Sequence, residues 1–381
     1  MRIAYPLLWA RPSRAACQEQ TINTVAALAR GGADITLIAP QGRGDPDLSA
    51  DDLRRWFDVR GDFALVQRPS RWAGERLLLS LLWLRQVFED PEVRNADCLY
   101  SRIPAMLAMG ARSPRPFATD HYRAWPDELP ALRPLFRRTA RHPSCLGLIL
   151  HSHYAAESYR RSDVPDTKLL VAHNGVDPER MRAVPARDAA RAALGLPMKR
   201  PIAVYAGRVN ARKGLDQLLA LADLRPSWLF LLVGAEDRQA LARARPNVRL
   251  VPWQAPAALP PYLGAGDVLL VPAASAPLRR HRTTVLPIKI FAYLAAARPI
   301  LAPRAPDTAE LLADGDTALL VEPDRPEEAA AGLDRLLADP ALAARLAAGA
   351  AARATGLSWD ARAARIAEFL EARLATPQAS Q

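Results

Sequence analysis

Short apolar runs of strand length recur along the chain, and helical patterns of roughly 10 to 20 residues separate them. The first half holds RIAYPLLW, DITLIAP, FALVQ, DCLYS, PFATD, LGLILHS and KLLVAH. The second holds PIAVYAG, WLFLLVG, VRLVPW, DVLLVP, PILAP and TALLVEP. Strands that are apolar on both faces and alternate with helices belong to parallel sheets covered by helices on each side, so the pattern predicts an α/β chain with two doubly wound sheets. Length agrees, because 381 residues exceed the roughly 250 to 300 at which a single core stops growing.

The stretch 177–201 between the two series lacks strand character and is interrupted by prolines, which places a domain boundary near 178. The sequence thus divides into 1–177, 178–360 and a final helix with tail, 361–381, expected to cross back to the first domain through Trp359. Open α/β sheets bind ligands at the C-terminal ends of their strands, so two such domains are expected to face each other across a cleft and to offer a two-substrate site.

Composition removes several classes. Cys17, Cys98 and Cys145 have no CxxC spacing and no histidine at ligand distance, which argues against a disulfide framework or a zinc centre and for a reducing, cytoplasmic setting. No run reaches the roughly 18 apolar residues of a membrane span, and MRIAYPLLWA reads as a first strand rather than a signal peptide. Lys and Arg number 51 against 40 Asp and Glu, a formal charge of +11 that favours anionic partners. No nucleic-acid motif accompanies it, so sugar nucleotides and anionic lipid are the expected partners. Arginines and tryptophans in RWFDVRGDF and RPSRWAGERLLLSLLWLRQVF are compatible with peripheral contact to an anionic membrane, and equally with a helix buried on the sheet.

Chemistry concentrates in VYAGRVNARKGLDQLL, 204–219, where an apolar strand ends at Gly207, Arg208 follows, and Lys213-Gly214 precedes a helix. Glycine lets the backbone approach a ligand, arginine offers a two-pronged donor and lysine a mobile point charge, a combination suited to the two phosphates of a nucleotide diphosphate. The segment resembles the Gly-Arg…Lys-Gly signature of retaining GT-B glycosyltransferases of family 4. VAHNGVDPERM, GAGDVLLVPA and VLPIKIFAYLAAARPILA resemble three further elements of that family in the same order, so the resemblance extends over nearly the whole chain.

The resemblance implies a GT-B fold of two Rossmann-like domains, an acceptor domain first and a donor domain second. It implies retaining transfer of a hexosyl-type sugar from a nucleotide sugar to a carbohydrate or lipid-linked acceptor, in cell-surface polysaccharide or glycolipid synthesis, with no metal and no cofactor. Catalytic roles fall on His121, Arg208 and Lys213, with His121 touching the transferred sugar. Donor binding falls on Gly207, Lys289, Thr283, Thr284, Pro287, Ile288, Trp253 and Asn174.

The chain departs from the family at two places. Ala292 stands where a glutamate is expected to hold the ribose hydroxyls, and Thr284 where an earlier glutamate would lie. A methyl group accepts no hydrogen bond, so Thr283, Thr284 or a displaced carboxylate such as Glu310 would have to replace the lost contact. Lys289, inside an apolar helix start, is expected as a third diphosphate contact because an ammonium there is costly without an anion. Arg11, Ser13 and Arg14 stand in a first loop that lacks the usual glycines, and Ser152 stands on the acceptor side. Two rivals remain: a non-catalytic relative with a degenerate donor site, and a sugar-nucleotide epimerase, which would want a carboxylate set that the sequence does not offer.

Overall fold

The computed structural model describes residues 1–70, 77–210, 213–235, 245–275 and 285–375. The chain forms two compact units. One comprises Met1–Asn174 together with Trp359–Gln381, and the other Gly175–Ser358. The first boundary therefore falls at 174/175 rather than 177/178. The proline-rich stretch expected as a connection folds instead as two short helices, Pro178–Arg182 and Arg187–Ala193, inside the second unit. Arg191 explains why. Its fully buried guanidinium pairs with Asp267 at 2.6 Å and donates to the carbonyls of Ala265, Met198 and Arg200, which ties the stretch to the sheet.

The first unit holds a parallel sheet in the order β3-β2-β1-β4-β5-β6-β7. Its strands are β1 Arg2–Pro6, β2 Asp34–Gln41, β3 Ala64–Pro69, β4 Cys98–Ser101, β5 Phe117–His121, β6 Cys145–Leu150 and β7 Leu169–Val171. Among its helices are α1 Ala16–Arg30, α2 Leu77–Phe88 and α3 His153–Arg160. The amphipathic run expected either on a membrane or on the sheet is a core helix: α2 buries Trp83 and Leu84 completely, and the Trp83 indole N–H donates to the Leu7 carbonyl at 2.7 Å.

The second unit holds six parallel strands ordered β10-β9-β8-β11-β12-β13. They are β8 Ile202–Ala206, β9 Leu229–Val233, β10 Val248–Val251, β11 Val268–Leu270, β12 Ile300–Pro303 and β13 Leu319–Val321. Consecutive residues of β8 feed opposite cores: Val204 packs on one face with Ile290 and Phe291, while Ala203 and Tyr205 pack on the other with Leu218 and Leu333. Those neighbours belong to α4 Leu215–Leu224, α5 Lys289–Ala295 and α6 Pro326–Ala338. The last helix, α7 Trp359–Leu374, packs against α1 in the first unit.

Both sheets are of the doubly wound type, in which the strand order reverses once and leaves a crevice at the C-terminal strand ends. In the second sheet that reversal lies between β8 and β11, so the Gly207-Arg208 turn leaves the sheet at its switch point.

Candidate functional site

In the second unit three cations gather around one glycine. Gly207 has φ of 142°, a conformation that side chains rarely adopt, and a Cβ built on it would lie 2.7 Å from the Lys289 ammonium. Glycine is therefore needed twice over, for the backbone and for the room that Lys289 occupies. The strand end is braced from two sides. The Tyr205 hydroxyl donates to the Arg208 carbonyl at 2.9 Å, and the Ala206 N–H donates to the Tyr293 hydroxyl at 2.7 Å. Gly214, with φ of 81°, opens α4 and lies so close to Pro272 that a Cβ would meet it at 2.5 Å, which sets the exposed Lys213 at the helix start beside the strand ends.

Lys289 is the least comfortable of the three. It is half-buried, its Nζ sits 3.6 Å from the centroid of the Tyr205 ring, and among the described residues no carboxylate pairs with it. Burial pushes its ammonium well below the usual lysine range, and the charge of Lys213 adds to the effect. A cation–π contact softens that cost without cancelling the charge. Arg208 is exposed and also has no carboxylate partner among the described residues. The arrangement is built for an anion with several oxygens.

The helix that carries Lys289 divides its residues plainly. Ile290, Phe291 and Tyr293 are buried, whereas Lys289 and Ala292, one turn apart, are only partly so. Ala292 packs against the apolar core, and its position offers no acceptor. Pro287 and Ile288 lead into the helix half-buried, and Trp253 is half-buried beyond β10. Thr283 and Thr284 lie outside the described residues. Asp314-Gly315-Asp316, which looks like a metal-binding Asp-x-Asp, is a turn before β13: Gly315 has φ of 74°, and Asp314 accepts from the Leu320 N–H at 2.9 Å and pairs with Arg304 at 2.8 Å.

The remaining expected residues belong to the first unit. His121 ends β5 and is buried. Its Nδ1 lies 2.6 Å from the Tyr159 hydroxyl on α3, and its Nε2 is buried with no hydrogen-bond partner. Burial holds the imidazole at about 4, against an opposing pull from Asp120, so the ring is neutral at pH 7. Asn174 is likewise buried, with its side-chain oxygen unpartnered. Ser152 caps α3 by accepting from the Ala155 N–H. Arg11, in the first loop that lacks the usual glycines, is engaged by Asp45 at 2.9 Å.

Beside His121 the sheet carries a buried polar network that the sequence did not disclose. Asp120 receives the Tyr100 hydroxyl at 2.6 Å, His151 Nε2 at 2.5 Å and the Arg362 guanidinium at 2.6 Å. Arg362 also donates to Thr24 and to the Ala172 carbonyl. Burial alone would raise Asp120, but His151 and Arg362 outweigh it and hold the carboxyl well below the usual range.

Comparison with known proteins decides the family. A model of Glycosyltransferase Family 4 matches residues 18–180, and one of Glycosyl transferases group 1 matches 200–339. The chain belongs to the family 4 glycosyltransferases. Its fold is GT-B: a glycosyltransferase of Rickettsia africae superposes with TM-score 0.76 at 15% identity, covering 98% of this chain and 99% of that one. Anabaena HepE in complex with UDP and glucose follows at 0.69 and 18%, over 97% and 99% of the two chains. The curated relatives include D-inositol 3-phosphate glycosyltransferases. That of Streptomyces scabiei is 32% identical over 238 residues, 57% of this chain and 52% of its own; that of Rhodococcus opacus is 30% identical over 220 residues, 50% and 48%. The family 4 chain described here thus spans about half the length of the curated relatives it matches.

Proposed function

We propose that the protein transfers a hexosyl-type sugar from a nucleotide-diphosphate donor to a carbohydrate or lipid-linked acceptor, with retention and without a metal, in cell-surface polysaccharide or glycolipid synthesis. The observation that carries this reading is the group of Arg208, Lys213 and Lys289 about Gly207, in which Lys289 is a partly buried cation with no carboxylate partner among the described residues. An ammonium in that state gains most from an anion, and three fixed cations at a strand end stabilise the charge that develops on a departing diphosphate. Solved structures of HepE hold UDP and UDP-glucose, which favours a uridine nucleotide as the first donor to test. His121 is assigned to the transferred sugar, and Asn174, Trp253, Pro287, Ile288, Thr283 and Thr284 to the remainder of donor binding.

The leaving phosphate itself takes the acceptor proton in this reading, which asks the protein for orientation and charge rather than a general base. The protein acts at the cytoplasmic face, and its +11 charge supports peripheral contact with anionic lipid. Among the described residues no helix is long and apolar enough to cross a membrane. A second reading, a GT-B-shaped protein that binds without catalysis, draws support from Ala292 alone.

Isothermal titration with UDP and a panel of UDP-, GDP- and ADP-sugars, without metal, tests both. One donor is expected to bind, and the Arg208→Ala/Lys213→Ala double variant to bind it at least tenfold more weakly, since charge-assisted hydrogen bonds contribute roughly 1.5 to 3 kcal/mol each. Absence of binding by every donor would favour the non-catalytic reading.

A further inference from the structure

We propose that Tyr159 is a positioning residue that fixes the tautomer of His121, leaving Nε2–H as a donor reserved for an oxygen of the bound sugar. The proposal deepens the assignment of His121 to the donor sugar and rests on it for the identity of that oxygen. The tautomer itself stands on the geometry of the first unit alone.

A neutral imidazole has one N–H and one bare nitrogen, and the hydrogen bond at one nitrogen decides the other. His121 is neutral because burial holds it at about 4, and burial likewise keeps the Tyr159 phenol protonated by raising it well above its ordinary value. Two arrangements fit the 2.6 Å contact between Nδ1 and the hydroxyl. If Nδ1–H donated, the Tyr159 hydroxyl would accept, and its own proton would need a second acceptor; among the described residues His121 is its hydrogen-bond partner and Phe136 and His121 are its ring neighbours. The Tyr159 proton would then be stranded in a fully buried position, and Nε2 would be a bare, unpartnered nitrogen as well. If the hydroxyl donates to Nδ1, one group alone is left over, the Nε2–H. The second arrangement is the cheaper.

The consequence is directional. Nε2 offers a proton, so its ligand partner is an acceptor, a sugar hydroxyl oxygen or ring substituent oxygen, and not a donor. A buried N–H without an acceptor is a standing cost in the free protein that such an oxygen removes. Nε2 is covered in this structure, so the proposal requires that the oxygen reach it in the liganded protein. Tyr159 is held for its task by the edge of the Phe136 ring, centroids 5.4 Å apart, and by its place on α3 directly after β6.

The test separates tautomer from activity. Histidine ring 15N spectra of the full chain, with the His121→Gln variant for assignment, are expected to show Nδ1 unprotonated and Nε2 protonated. Tyr159→Phe, which keeps the ring packing, is expected to give a tautomer mixture. It should also lose about tenfold in affinity for the UDP-sugar found by titration while binding UDP as the parent does. An Nδ1-protonated ring in the parent, or an unchanged ring in Tyr159→Phe, overturns the proposal. An equal loss for UDP and UDP-sugar overturns the link to the sugar. Failure of every nucleotide to bind would sink the donor reading while leaving the tautomer result to stand or fall by its spectrum. Thermal midpoints of parent and variant, matched within error, exclude a folding defect; if they do not match, the parent spectrum alone decides the tautomer.

Discussion

Lys289 shows how one residue can be a burden to the fold and an asset to the site. Its folded-state pKa lies below the ordinary lysine value because burial, and then Lys213, disfavour the charged form. Between those two values the folded protein binds fewer protons than the unfolded chain, so stability rises with pH through that window, and the full cost is present below it. Lys289→Met keeps the length and apolar stem without the charge. It is expected to stabilise the free protein at neutral pH by roughly 0.5 to 2 kcal/mol, as removal of functional strain commonly does, and to weaken UDP binding at least tenfold. Denaturant titration and calorimetry on the same variant check the two signs; a loss of stability would make Lys289 a structural residue. The cations themselves were legible because a strand, a turn and a helix start are contiguous in sequence. The Tyr205 ring beneath Lys289 was not, since nothing local to VYAG indicates which side chain a lysine from a distant helix will rest upon.

The element with the widest reach is α7. Its buried stripe of Trp359, Ala363, Ile366 and Leu370 is helical in period, and Arg362 stands inside that stripe. An arginine on an apolar helix face was the available signal for a buried partner; that the partner is Asp120 on β5 depends on the tertiary fold. The thirteen described strands, by contrast, follow from local apolar runs, because a central parallel strand buried on both faces must be apolar along its length; the edge strands β3 and β10 are only partly buried and carry Gln67, Arg68 and Arg249. Removing Arg362 leaves a buried carboxylate without its main counter-charge, so Arg362→Leu is expected to destabilise the first unit by about 3 to 5 kcal/mol, with Asp120→Asn restoring part of it in the double variant. The same region sets an acid limit. Burial holds His121 and His151 at about 4, below the ordinary value near 6.5. The unfolded chain therefore binds more protons in that interval, and stability falls as pH drops from about 6.5 towards 4. Below that, protonation of Asp120, whose folded pKa is depressed, removes its contribution too. Urea titrations at several pH values across the interval should show the slope, and Arg362→Leu should move the acid transition upward.

At the scale of the whole molecule the chain passes twice between its two units, at 174/175 and 358/359, so the first unit is discontinuous in sequence and closes only after the second has been made. The return through Trp359 is expected from the sequence, but its packing partner is not, because the affinity of α7 for α1 is a property of packed faces and not of the residues near the crossing. Each unit has its own sheet and its own core, which makes a ligand's effect assignable to one of them. If the three cations about Gly207 hold the diphosphate, UDP at a hundredfold excess over its Kd stabilises the unit that binds it by about 2.7 kcal/mol. Hydrogen exchange then slows in β8, the start of α4 and α5, while β1 to β4 exchange as in the free protein. The effect should weaken as salt rises, because part of the attraction comes from the exposed Arg208 and Lys213. Equal protection of both sheets would show that the nucleotide acts through global stability rather than at the second sheet's switch point. Protection confined to the first sheet would remove the cation cluster from the donor site and leave Lys289 without a role.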